Sequence, residues 1–117
     1  MKNKRYCLIN VINEEYVKDY KELHRNPWKE ILDAIKIVGV KELLIWNYKN
    51  LAIIYFECED IDRVYTELEE LNVVNKWNNT LKPWLQESPV IDIPGKIVTL
   101  DKIFDLNEQL NGNLTNY

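Results

Sequence analysis

A chain of 117 residues can fold as one domain with a real core and is too short for two. Its net charge of -4, with lysines scattered among Asp and Glu, leaves no basic stripe to neutralise a phosphate backbone, so nucleic acid is not an expected partner. The opening "MKNKRYCLINVI" holds only a short apolar stretch with no small-residue cleavage site, and no later run reaches membrane-spanning length. The expectation is a cytoplasmic protein with no membrane partner.

Residues 5–12, "RYCLINVI", are rich in β-branched and aromatic types and read as a first strand. Asn13-Glu14-Glu15 then supplies a capping residue and an acidic first turn for a helix. Tyr16, Tyr20, Leu23 and His24 recur at helical spacing, which places Tyr20 and His24 one turn apart on the inward face. Pro27 biases Asn26 away from helical geometry, so the first helix is predicted to end near Arg25 and a second to open. The apolar stripe of that second helix, Trp28, Ile31, Leu32, Ile35 and Val38, runs to Gly39, which suits a left-handed stop.

"KELLIWNY" and "LAIIYFEC", separated by Lys49-Asn50, have the spacing of a hairpin over 41–58. Asp60 is placed to cap a third helix with the stripe Ile61, Val64, Tyr65, Leu68 and Leu71, and a fourth follows after Asn72 with Val73, Val74, Trp77, Leu81 and Trp84. Pro83, Pro89, Pro94 and Gly95 mark a loop, "KIVTLDKIF" reads as a fourth strand, and the tail over 107–117 is polar, Asn-rich and expected to be partly frayed. Cys7 and Cys58 stand singly in strand-like runs without metal-ligand spacing, and read as small buried hydrophobes in a reducing compartment; no metal site is expected.

The order strand, helices, strand, strand, helices, strand is the split βαβ arrangement of ferredoxin-like α+β domains, with helices on one face of an antiparallel sheet and a single domain over 1–106. The second and third strands are apolar at both odd and even positions, from Leu43 to Trp46 and from Leu51 to Phe56. A sheet apolar on both faces, with helices enough for one, calls for a second layer from another chain, so a homodimer packed sheet on sheet is expected.

His24 is the only histidine. A lone inward histidine is commonly a satisfied structural residue, and that reading stands beside a chemical one. In favour of chemistry, the end of a helix favours imidazolium while burial opposes it, which sets the group near neutrality, where proton transfer is easiest. A histidine among tyrosines and tryptophans, without a Gly-rich phosphate loop or nucleophile elbow, suits a neutral, hydroxyl-rich ligand such as a sugar, whose C–H faces aromatic rings cover. Trp77, in "NKWNN", stands among polar residues as such a wall would; Trp28 reads as core, and the pairs Glu14-Glu15 and Glu69-Glu70 as solvated helix faces.

"RYC", "EYVKDYKELHRNPWKEILDAIKIVG", the aliphatic hairpin, "NKWNN" and "LDKIFDLNEQL" occur in an order and spacing that resemble the L-rhamnose mutarotase family over about residues 4–106. The resemblance implies a dimeric α+β barrel enzyme, without cofactors, that interconverts the α and β anomers of L-rhamnose. It further implies that His24 is the proton donor and that Tyr20 helps bind the sugar, together with a tryptophan pair on the fourth helix and a tyrosine on the second strand. Trp77 matches the first of that pair, but Asn78 stands at the second place and Leu43 where the strand tyrosine would be. These departures alter the sugar-contact wall and spare the acid–base centre. Two other readings share the architecture: a monooxygenase or haem-binding protein with His24 as axial ligand, and a sugar-binding module without catalysis.

Overall fold

The computed structural model describes residues 3–86 and 100–112. Strand β1 (Lys4–Val11) leads through a 3₁₀ turn (Glu14–Tyr16) into helix α1 (Val17–Arg25), followed by α2 (Lys29–Ile37), β2 (Glu42–Tyr48), β3 (Leu51–Cys58), α3 (Ile61–Glu69), α4 (Asn72–Leu81), a 3₁₀ turn (Lys82–Trp84) and a short α5 (Leu106–Leu110). The strands form an antiparallel sheet in the order β1-β3-β2, so the third strand in sequence lies at the centre. This is the split βαβ connection, with α1 to α4 packed on one face.

Side-chain alternation along β3 sorts the molecule into two faces. Ala52, Ile54, Phe56 and Cys58 are buried, and pairing sets Leu8 beside Ile54 and Tyr6 beside Phe56 on the same side. Against that side pack Ile31, Ala34 and Val38 of α2, Ile61, Val64 and Leu68 of α3 and Val74 of α4. Burying each large aliphatic or aromatic side chain of this layer contributes about 1.5 to 3 kcal/mol relative to exposure. A smaller cluster of Ile12, Tyr20, Ala52 and Leu81 joins α1 to the sheet end, and Trp77 packs against both clusters. Tyr16 and Trp84 stack at 6.5 Å beside this second cluster, which settles a structural place for Trp84.

The opposite face carries Cys7, Ile9 and Val11 from β1, Leu51, Ile53 and Tyr55 from β3, and Leu44, Trp46 and Tyr48 from β2 in register. Trp46 is 57% exposed and Tyr48 61% exposed. Cys7 belongs to this face and is only partly buried, a correction to its expected place in the core that follows from the period-two alternation; Cys58, on the helix side, is fully buried.

Local chemistry explains the boundaries. Asp60 accepts from the backbone N–H of Asp62 at 3.1 Å and of Arg63 at 3.3 Å, capping α3 as expected. Gly39 adopts φ 98°, the left-handed conformation that stops α2. Lys49 takes φ 53° in the two-residue hairpin turn, which the Asn47 amide braces by donating to the carbonyls of Lys49 and Leu51 at 2.8 and 3.0 Å. Asn13 makes no side-chain cap; its amide instead donates to the Pro83 carbonyl at 3.3 Å, because the following turn is 3₁₀ and the loop after α4 returns alongside.

The outer edge of β1 is met at three points. Asn13 N–H donates to the Trp84 carbonyl, Gln86 N–H to Val11, and Leu100 N–H to Cys7, at 2.7, 2.8 and 2.7 Å. The last bond lies where a fourth strand of a split βαβ sheet belongs. Of the strand expected over 96–104, residues 96–99 lie outside the described residues, and 100–104 carry no regular strand. The first part of the polar tail forms α5, capped by Asp105 through the Glu108 N–H at 3.1 Å, and residues 113–117 of that tail lie outside the described residues.

Removing the α3 cap isolates one of these local terms. Asp60→Ala is expected to lower stability by about 1 kcal/mol, read as a lower denaturant midpoint at unchanged slope.

Candidate functional site

A cavity of about 310 Å³ opens between the helical layer and the sheet, beside the seam where the two core clusters meet at Trp77. That volume is at the lower end of small-ligand pockets, roughly 300 to 1,000 Å³, and suits a ligand of monosaccharide size. The wall has an apolar side, with Ile31, Ile35 and Leu43 among its residues, and a polar side of Asn10, Tyr20, His24, Tyr65, Glu69 and Asn78. All five residues singled out from sequence, Tyr20, His24, Leu43, Trp77 and Asn78, line it.

Helix α1 delivers Tyr20 and His24 from successive turns. Their rings stack at 4.2 Å with planes 26° apart, and Trp77 of α4 meets the imidazole edge-on at 5.3 Å. Trp28 in turn meets Trp77 at 5.2 Å, nearly perpendicular, and packs against the larger cluster. Trp28 is therefore core, as read from its stripe, and it also sets the attitude of Trp77. The chain of rings from Trp28 to Tyr20 leaves the imidazole little rotational freedom.

The hydrogen bonding of His24 assigns its tautomer. Nδ1 lies 2.8 Å from the Tyr20 carbonyl oxygen, which can only accept, so Nδ1 carries a hydrogen and Nε2 of the neutral ring holds the lone pair. Burial lowers the His24 pKa below its usual 6.5, and the bond to the Tyr20 carbonyl opposes that shift only in part. Burial raises the Tyr20 pKa, against the opposing effect of a hydrogen bond from the Asn10 side chain. The neighbouring pair is thus a neutral base and a protonated phenol at pH 7.

Leu43 contributes a half-buried aliphatic wall from β2, next to Phe56 in register, and Asn78 presents an exposed amide one residue beyond Trp77. Three polar lining residues, Asn10, Tyr65 and Glu69, were not singled out from sequence as site residues. Asn10 follows Tyr6 and Leu8 on the inward face of β1, and a polar residue in that alternation is the signal that could have found it. Tyr65 falls within the apolar stripe of α3 and cannot be told from a core tyrosine by spacing. Glu69, read as part of a solvated face, is exposed but stands one turn beyond Tyr65 and lines the cavity. No group of three or more His, Cys, Asp or Glu residues placed to hold a metal ion occurs among the described residues, and no helix among them is long and apolar enough to cross a membrane.

An antiparallel α+β sheet layered by helices, enclosing an aromatic cavity with one histidine, defines the class. The structure resembles that of the L-rhamnose mutarotase FA22100 from Formosa agariphila, with a TM-score of 0.67 and 21% identity, covering 88% of this chain and 98% of that one. It also resembles the tetracenomycin F2 cyclase of Streptomyces glaucescens, a type-II polyketide cyclase, with a TM-score of 0.59 and 11% identity over 87% of this chain and 95% of that one. At these identities the two likenesses establish the fold, that of the dimeric α+β barrels. In sequence the chain is 28% identical over 111 residues to the UPF0734 protein of Dictyostelium discoideum, covering 85% of this chain and 86% of that protein. The model of the L-rhamnose mutarotase family matches residues 5–106, and the chain belongs to that family.

With a single histidine, the titration can be read directly. The imidazole resonances of the folded protein should titrate with a midpoint below 6.5; a midpoint above 6.5 would contradict the dominance of burial. The linked effect on stability has a definite sign. Between the folded pKa and 6.5 the unfolded chain binds more protons, so stability is highest above 6.5 and falls as pH drops through that window. His24→Asn should flatten this part of the stability profile in denaturant titrations at stepped pH.

Proposed function

We propose that the protein is an aldose mutarotase that interconverts the α and β anomers of L-rhamnose or a related deoxysugar by general acid–base ring opening and closing. The observation that carries this reading is the His24 geometry: a neutral imidazole, Nδ1 held by the Tyr20 carbonyl, between two aromatic rings in the wall of a monosaccharide-sized cavity. In the closed sugar, Nε2 takes the proton of the anomeric hydroxyl while the bond from C1 to the ring oxygen breaks and that oxygen receives a proton. The open aldehyde rotates about its C1–C2 bond, and reclosure returns both protons. Ring opening moves one proton from the anomeric oxygen to the ring oxygen, reclosure reverses that transfer, and no atom is oxidised or reduced.

Tyr20 is placed to supply or relay the second proton, because it lines the same cavity and stacks on the His24 ring. Trp77 offers a ring for the apolar C–H face of the sugar. Leu43 and Asn78 replace aromatic contacts that the family resemblance implies, so the substrate is proposed as a class, the deoxyhexoses, with L-rhamnose as its first candidate. Proton transfer between oxygens requires no redox step, and the proposal includes no cofactor. The free thiols Cys7 and Cys58 fit a reducing, cytoplasmic setting.

The protein is further proposed to work as a homodimer. The sheet face away from α1 to α4 sets Leu44, Trp46 and Tyr48 beside Ile53, Ile9 and Val11, an apolar surface of the kind that a second sheet covers. Light scattering at micromolar concentration should give twice the chain mass; a monomer mass would reject this assembly.

Saturation-transfer NMR reads anomer exchange directly. His24→Asn keeps polar volume and removes the titrating group, so exchange should fall about 10²-fold or more in a folded protein. Tyr20→Phe should cost less unless Tyr20 carries the second proton. Exchange near the parent rate in a folded, sugar-binding His24→Asn variant would make His24 structural and the mechanism wrong.

A further inference from the structure

Helix α3 sends two polar side chains, Tyr65 and Glu69, into the cavity wall, and the proton-transfer scheme uses neither. They are four residues apart and so lie on one stripe of the helix. The Tyr65 ring is held against Phe56 at 5.7 Å, and deep burial, with Tyr20 close by, pushes its hydroxyl pKa up to about 12. That hydroxyl has no hydrogen-bond partner among the described residues, yet no sealed side-chain nitrogen or oxygen among them lacks one. It is therefore reached through the cavity it lines. A partly buried phenol that is protonated at neutral pH and finds no partner among the described residues can be satisfied by a ligand group or water in that cavity.

Among the described residues of the lining, Glu69 is the one carboxylate, and no lysine or arginine lies beside it there. A lone carboxylate in the wall of a small cavity accepts strongly from hydroxyl donors and repels anions, with nothing beside it to neutralise a ligand carboxylate or phosphate. The geometry points to a hydroxyl-reading pair on α3: Tyr65 and Glu69 bind ring hydroxyls of the sugar in the cavity that His24 also lines, and Glu69 restricts the site to uncharged sugars. This inference rests on the mutarotase reading for the identity of the ligand, but not for its chemistry. Sugars carrying a carboxylate or phosphate are excluded, so any phosphorylation or acid-forming reaction on the same sugar must follow anomer exchange.

The test uses calorimetric titration of the full chain with L-rhamnose, with its analogues lacking a single ring hydroxyl, and with a hexuronate. Tyr65→Phe keeps the ring on Phe56 and should weaken L-rhamnose binding about 3- to 10-fold, with no loss for the one analogue that lacks the hydroxyl it reads. Glu69→Gln should weaken L-rhamnose binding about 10-fold and strengthen hexuronate binding by a similar factor. L-Rhamnose binding within twofold of the parent in both variants, or a neutral-to-anionic preference unmoved by Glu69→Gln, overturns the inference, and a loss in one variant alone overturns the pairing. Equal losses for every analogue assign Tyr65 to packing and also overturn it. Saturation-transfer NMR on the same samples separates the two readings. A parent that binds with these dependences but exchanges no anomers defeats the mutarotase reading and leaves the α3 pair standing; a parent that binds none of the sugars overturns both.

Discussion

The central position of β3 is the constraint on which the remaining structure depends. Its residues alternate between buried and half-buried from Leu51 to Cys58, and both neighbours are tied to that alternation in antiparallel register. A slip of one residue on either side would turn Leu8 or Ile45 away from the helices and bring Cys7 or Leu44 inward. The two-residue turn at Lys49-Asn50 prevents such a slip on the β2 side, which is why the chain tolerates a lysine at positive φ there. With the register set, Asn10 and Leu43 both face the helices and become cavity wall.

On that platform the histidine is governed by a contest between solvation and hydrogen bonding. Removing the imidazole from water disfavours its charge, the Tyr20 carbonyl favours it, and burial wins. The bond that loses this contest still orients the ring, because it fixes which nitrogen carries the hydrogen. Stacking on Tyr20 and the edge contact from Trp77 reinforce the same orientation at no electrostatic cost. One carbonyl and two rings thus set both the protonation state and the aim of a group that would otherwise be a free rotor at a helix end.

The cavity is divided in character. Helix α2 and β2 supply aliphatic wall, whereas α1, α3 and one position of β1 supply hydroxyl, imidazole, amide and carboxylate groups. A ligand with one apolar and one hydroxylated side matches that division, and a deoxyhexose is such a molecule. Trp77 packs against both hydrophobic clusters, so the residue that the sugar would touch is also structural. Its substitution would mix loss of binding with loss of packing, which makes Tyr65 and Glu69 cleaner probes of recognition.

Most of the elements were legible in the local sequence. Helical spacing put Tyr20 above His24, Pro27 and Gly39 bracketed α2, Asp60 opened α3, and a two-residue polar break made the hairpin, all because these are effects of neighbours within one turn or one strand. The family resemblance, too, was legible in the order of short motifs. What escaped was decided at long range. The Asn13 amide went to Pro83 across the domain, Cys7 fell on the half-open face, and Leu100 bonded to β1 without a regular strand over 100–104. Tyr65 and Glu69 read as core and as solvent face because a helical stripe reports only that a side faces inward, not whether protein or a cavity meets it there. Only the tertiary structure decided that, since a cavity is defined by what opposing elements fail to fill, and no single segment carries that information.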